Sequence, residues 1–190
     1  MQTPFIRWSL ALATLAFCGV AEAHPGHGIG YMAGLAHPFL GLDHLLAMFA
    51  VGVWASQLGG RATWLVPASF VTVMAVAAGF GAAGIALPMV ESGIAASVLV
   101  LGLLVAFAVR LPFVLGCAMV GLFAVFHGYA HGAEMPQSAT WQYGLGFIMA
   151  TAVLHGAGLL AGRSLNKQAV WIRAVGTVVA ASGAWMLATI

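Results

Sequence analysis

Apolar residues run along this chain almost without interruption, and the polar ones gather at a few short breaks. Six apolar stretches stand out, at about 32–56, 62–82, 92–109, 111–131, 140–162 and 168–189. A helix needs roughly 20 apolar residues to cross a bilayer, and about 17–25 are tolerated, so each stretch fits one crossing. The breaks hold the residues that stop helices or carry charge: Gly59-Gly60-Arg61, Pro88 with Glu91, Arg110 with Pro112, Glu134 with Pro136, and Arg163 to Lys167. The break at Arg110 is the tightest, because 92–109 is short and passes almost directly into the next stretch. The pattern predicts an all-α polytopic membrane protein, a compact bundle of six transmembrane helices. Gly128 and Gly132, and likewise Gly158 and Gly162, are four apart, a spacing that lets helix backbones approach closely in lipid.

Composition narrows the choice further. Apolar residues make up 63% of the chain and charged ones only 5%, against about 25% charged in a typical soluble domain. Such a chain cannot cover its own surface in water, which excludes a soluble globule. A formal net charge of +2 provides no basic patch for a nucleic acid. At the start of the chain Arg7 precedes an apolar run from Trp8 to Val20, and Ala21-Glu22-Ala23 follows. That is the layout of a secretory signal peptide. It predicts removal of residues 1–23 and a mature six-helix transmembrane domain over 24–190 that begins at His24. Positive charge marks the cytoplasmic side of short loops. Arg61, Arg110, Arg163 and Lys167 fall in alternate loops, and Glu91 and Glu134 in the other two. Both termini of the mature chain are thus expected outside the inner membrane. Cys117, left alone once Cys18 departs with the signal, reads as a small core residue.

Ionisable groups inside a membrane span are costly, and they are functional candidates by default. Within the predicted spans the acidic and imidazole groups are Asp43 and five histidines, His37, His44, His127, His131 and His155, with Arg and Lys only towards the span ends. His37 and His44 are seven apart and His127 and His131 four apart, so each pair shares a helix face. Pro38 and Gly41 lie between the first two and can loosen the helix. Neutral imidazole suits Ni, Co, Cu and Zn, and a carboxylate adds charge and oxygen. Asp43 can ligate a metal directly or orient a neighbouring histidine. On straight helices, rising 1.5 Å per residue, the groups descend as a ladder. His131 stands at the outer rim, His37 and His127 in the outer third, Asp43 and His44 near mid-membrane, and His155 towards the cytoplasm. A ladder suits permeation, whereas a structural metal needs one closed site. His24 and His27 at the mature start are placed to collect metal at the outer mouth. Glu134 reads as a solvated loop charge, and Met48, one turn after His44, as core filling.

The segment from His37-Pro38 through Gly41, Asp43-His44 and Ala47-Met48 resembles the first-helix signature of the HupE/UreJ family of small nickel permeases. The stretch His127-Gly128-Tyr129-Ala130-His131-Gly132-Ala133-Glu134 is similar to that family's second histidine motif, and His155 to its fifth-helix histidine. The larger nickel–cobalt transporters carry a similar first-helix pattern with four residues before the Asp. Here five separate His37 from Asp43, so the likeness is to the smaller family. The resemblance implies secondary uptake of Ni²⁺, or of Co²⁺ in some members, through the inner membrane. The metal would serve hydrogenase or urease maturation proteins indirectly. It implies no prosthetic group, and it leaves self-association open.

Two other classes compete. An intramembrane zinc-dependent hydrolase also gathers His and Asp between helices, but the dispersion in depth and the lack of a clear nucleophile count against it. A haem-binding electron carrier with paired histidines is the third. A permease, not an enzyme, fits the ladder best, with His37, Asp43, His44, His127, His131 and His155 along the route.

Overall fold

A computed structural model of the chain describes residues 30–165 and 167–190. The expected signal peptide, and His24 and His27 after it, lie outside the described residues. Among those residues every regular element is helical: α1 (Tyr31–Leu40), α2 (Leu42–Leu58), α3 (Ala62–Ala82), α4 (Val90–Ala106), α5 (Phe113–Glu134), a short 3-10 turn (Gln137–Ala139), α6 (Thr140–Leu165) and α7 (Ala169–Thr189).

The first apolar stretch is not one straight helix. It is broken at Gly41 into α1 and α2, which meet at 84°. Pro38 lies inside α1 and has no N–H to give to the preceding turn. Gly41 then adopts an extended backbone, with φ −91 and ψ 115. A Cβ at position 41 would sit 2.8 Å from Asp43 Oδ1 and 3.2 Å from His44 Nδ1, so the tight corner depends on glycine.

Four helices, α3, α5, α6 and α7, are long and apolar enough to cross a membrane, and the bent α1–α2 pair makes a fifth if it is one span. α4 is apolar but only 17 residues long. Large apolar side chains such as Trp64, Phe80, Leu122, Trp141, Leu160 and Trp185 point outward and are exposed. A soluble monomer does not display so much apolar surface. The outer face of this bundle is built for lipid, and the protein is a multi-pass membrane protein.

The helices pack chiefly as α3 on α5, α4 on α7, and α1 with α2 on α6. α2 touches each of the other six. Residues Ala50 to Ala55 are buried without a gap, the sign of a helix that is apolar all round and central. Both glycine pairs singled out in the sequence sit where backbones meet. A Cβ at Gly128 would strike the Met74 carbonyl and one at Gly132 the Ala78 carbonyl, both on α3. Gly158 lies against the Phe49 carbonyl and Gly162 against the Ser56 side chain, both on α2. Met48 is fully buried in the apolar core, and Cys117 packs at its edge.

Candidate metal centre

The corner at Gly41 determines where the first-motif histidines lie. On a straight helix, seven residues would separate His37 from His44 by about 10 Å along the axis. The bend brings their ring centroids to 6.2 Å. His131, near the end of α5, stands between them, with its ring 4.8 Å from that of His37 and 4.2 Å from that of His44. His127, one turn earlier on α5, lies 4.8 Å from His44. Four imidazoles from three helices therefore touch in series. The spacing read from straight helices contracts into a cluster.

α6 closes one side of it. The Phe147 ring lies 3.6 Å from that of His131, and Tyr143 lies 5.9 Å from His37. His155, two turns further along α6, does not join the cluster. The buried Phe70 ring of α3 stands between, 5.7 Å from His127 and 5.3 Å from His155.

Glu134 is exposed to solvent, as expected, but it ends a helix and does not lie in a loop. α5 runs as far as Glu134, so His127, His131 and Glu134 fall at i, i+4 and i+7 on one face. Its Oε2 is 3.4 Å from His37 Nε2. His37, His131 and Glu134 each offer a ligand atom within 4.8 Å of the other two. Donors bind a first-row ion at about 2 Å, so these three would have to move closer together to share one. His131, expected at the rim, is 0% exposed.

Asp43 sits in the first turn of α2. Its Oδ1 accepts from the His44 backbone N–H and from His44 Nδ1, each at 2.7 Å. A carboxylate can only accept, so Nδ1 of His44 carries a ring proton, and in the neutral ring Nε2 keeps the lone pair. Nε2 is buried and has no hydrogen-bond partner within the described protein. The same holds for Nδ1 of His127 and for both ring nitrogens of His131 and His155. A buried polar atom left unpaired costs about 1–3 kcal/mol. A neutral imidazole has one lone pair, so His44, His127 and His131 can each offer one nitrogen to something that accepts lone pairs at the cluster, and His155 one more apart from it.

The charges are arranged accordingly. Asp43 and Glu91 share a cavity of about 240 Å³ with Thr189 and Ile190 near the carboxyl terminus, and Glu134 lies at the same histidine cluster. Arg61, Arg110 and Lys167 follow the opposite helix ends, after α2, α4 and α6, and Arg163, expected in a loop, lies in the last turn of α6. One end of the bundle attracts cations and the other repels them.

Two residues near the histidines escaped the sequence reading, whereas Glu134 was named there and read as a loop charge. Phe70, and Ser97 of α4, whose Oγ lies 2.8 Å from His127 Nε2, carried no signal, because one Phe or Ser in an apolar span looks like any other.

The chain matches the family model described as HupE / UreJ protein over residues 12–186. The curated Protein HupE of Rhizobium leguminosarum bv. viciae is 51% identical over 180 residues, covering 93% of this chain and 94% of that protein. No solved structure matches the chain.

Proposed function

The chain belongs to the HupE/UreJ family, and from that premise we propose that it is a secondary transporter taking up a divalent transition metal through the histidine cluster. The family assignment sets it among transporters, not hydrolases. Ni²⁺ is the expected cargo and Co²⁺ the nearest rival, since imidazole nitrogen with carboxylate oxygen suits both. The observation that carries the reading is the set of buried imidazole nitrogens without partners, beside Asp43 and Glu134.

The ion is first held by His37, His131 and Glu134. It then passes to His44 and His127, with Asp43 holding the His44 ring in the tautomer that leaves Nε2 free. His155 receives it beyond Phe70. His24 and His27 of the mature start concentrate metal at the mouth after the signal peptide is removed. In this reading the α1–α2 pair counts as one bent span and α4 as a short one, which makes six. The carboxylates and both termini then face the periplasm, and the Arg-bearing loops the cytoplasm.

Radioactive nickel uptake into sealed vesicles, with cobalt, zinc and copper as competitors, tests this directly. Wild type should take up nickel. Asp43→Ala and His44→Ala should lose at least about 10-fold, the scale on which outer-shell and ligand changes act, with normal amounts of protein in the membrane. Uptake near wild type in both variants would remove the cluster from the transport route.

A further inference from the structure

We propose that Ser97 is a positioning residue for this route, holding His127 in the one tautomer that leaves the Nδ1 lone pair free. The proposal rests on the reading of the cluster as a nickel path. It gives α4, which brings no histidine or aspartate to the cluster, a part in the site.

Ser97 and His127 are both 0% exposed. The serine Oγ lies 2.6 Å from the Ile94 carbonyl oxygen and 2.8 Å from His127 Nε2. A hydroxyl has one proton and two lone pairs, and a carbonyl oxygen only accepts. Two oxygens 2.6 Å apart with no proton between them would repel, so the hydroxyl donates to Ile94. It has only lone pairs left for the histidine. Nε2 must therefore carry the ring proton, and in a neutral imidazole the other nitrogen then keeps its lone pair. That nitrogen, Nδ1, is buried and has no hydrogen-bond partner among the described residues.

The arrangement is the counterpart of the one at His44. There Asp43 takes the Nδ1 proton and frees Nε2; here Ser97 takes the Nε2 proton and frees Nδ1. The two rings lie 4.8 Å apart and expose opposite nitrogens, each fixed by a partner of a different kind. A metal ligand must present a lone pair, and the hydrogen bond at the other nitrogen sets which one is presented. With the serine oxygen removed, the ring proton is free to move to Nδ1, where it blocks ligation.

The test uses the full-length protein in nanodiscs, metal-free, with ¹⁵N-labelled histidine. Nitrogen chemical shifts report which ring nitrogen carries the proton, and His127→Ala assigns the signal. Wild type should show His127 protonated on Nε2. Ser97→Ala should show a mixture of tautomers, and Ser97→Thr, which keeps the hydroxyl, should restore the wild-type signal. In vesicles Ser97→Ala should raise the KM for nickel about 10-fold or more at normal membrane abundance, with a smaller change in maximal rate, and Ser97→Thr should return it. A wild-type His127 protonated on Nδ1 would overturn the proposal, as would an Ala variant with unchanged tautomer or unchanged KM. If wild-type vesicles took up no nickel while the tautomer still followed the serine, the transport reading would fall, and the serine's role in transport with it, but the tautomer assignment would stand.

Discussion

A side chain at position 41 would have to share space with the Asp43 carboxylate and the His44 ring, at 2.8 and 3.2 Å from its Cβ. The smallest substitution, Gly41→Ala, therefore pushes directly on the contact that fixes the His44 tautomer. It is expected to lower nickel uptake about 10-fold while the protein still reaches the membrane, since α1 and α2 keep their packing on α6. Normal uptake kinetics in that variant would show that the Asp43–His44 contact is dispensable. The histidines themselves were legible in the sequence, because an ionisable side chain in an apolar span has few other reasons to be there. Glu134 was misplaced because Gly132 and Pro136 on either side of it suggested a loop. The helix continues past Gly132, whose missing Cβ lets α5 lie against the Ala78 carbonyl.

Among the elements, the α4–α7 pair shows how much of the bundle is held by close backbone contact. Cβ atoms at Gly102, Gly176 and Gly183 would each collide with backbone of the facing helix, at Ala180, Ala106 and Leu99 respectively. Lipid tails are as apolar as the side chains, so contact of this kind, not exclusion from water, drives helix association. Gly176→Val should therefore separate the pair. Overpacking of this sort costs about 1–3 kcal/mol. A lower Tm in detergent is the expected outcome, with uptake per folded molecule largely kept, because α7 carries none of the proposed ligands. An unchanged Tm would show that α7 is held by something other than this seam. The sequence announced Gly128–Gly132 and Gly158–Gly162 by their spacing, but it could not say which helix each pair meets.

For the whole molecule, the separation of charge predicts orientation. Arg61, Arg110, Arg163 and Lys167 all lie at or just after the helix ends opposite Asp43, Glu91 and Glu134. Ile190 lines the same cavity as Asp43 and Glu91, so the carboxyl terminus belongs to the carboxylate end. Alkaline phosphatase fused after Ile190 is expected to be active and a fluorescent protein fused there dark, since the first matures only outside the inner membrane and the second only inside. The reverse pattern would invert the topology and send the metal in the opposite direction through the cluster.

Apolar run lengths and the placement of rare charges settled on their own that this chain lives in a bilayer as a helical bundle, because lipid tolerates few polar groups and any that remain must have a use. The same scarcity pointed to the histidines and Asp43. The 84° turn at Gly41, the meeting of four imidazoles that straight helices would hold apart, the Phe70 ring before His155 and the Ser97 contact with His127 came only from tertiary structure. Pro38 and Gly41 announced a loosened helix but not its angle, and the rest depends on which helix faces which, decided by contacts between segments far apart in the chain.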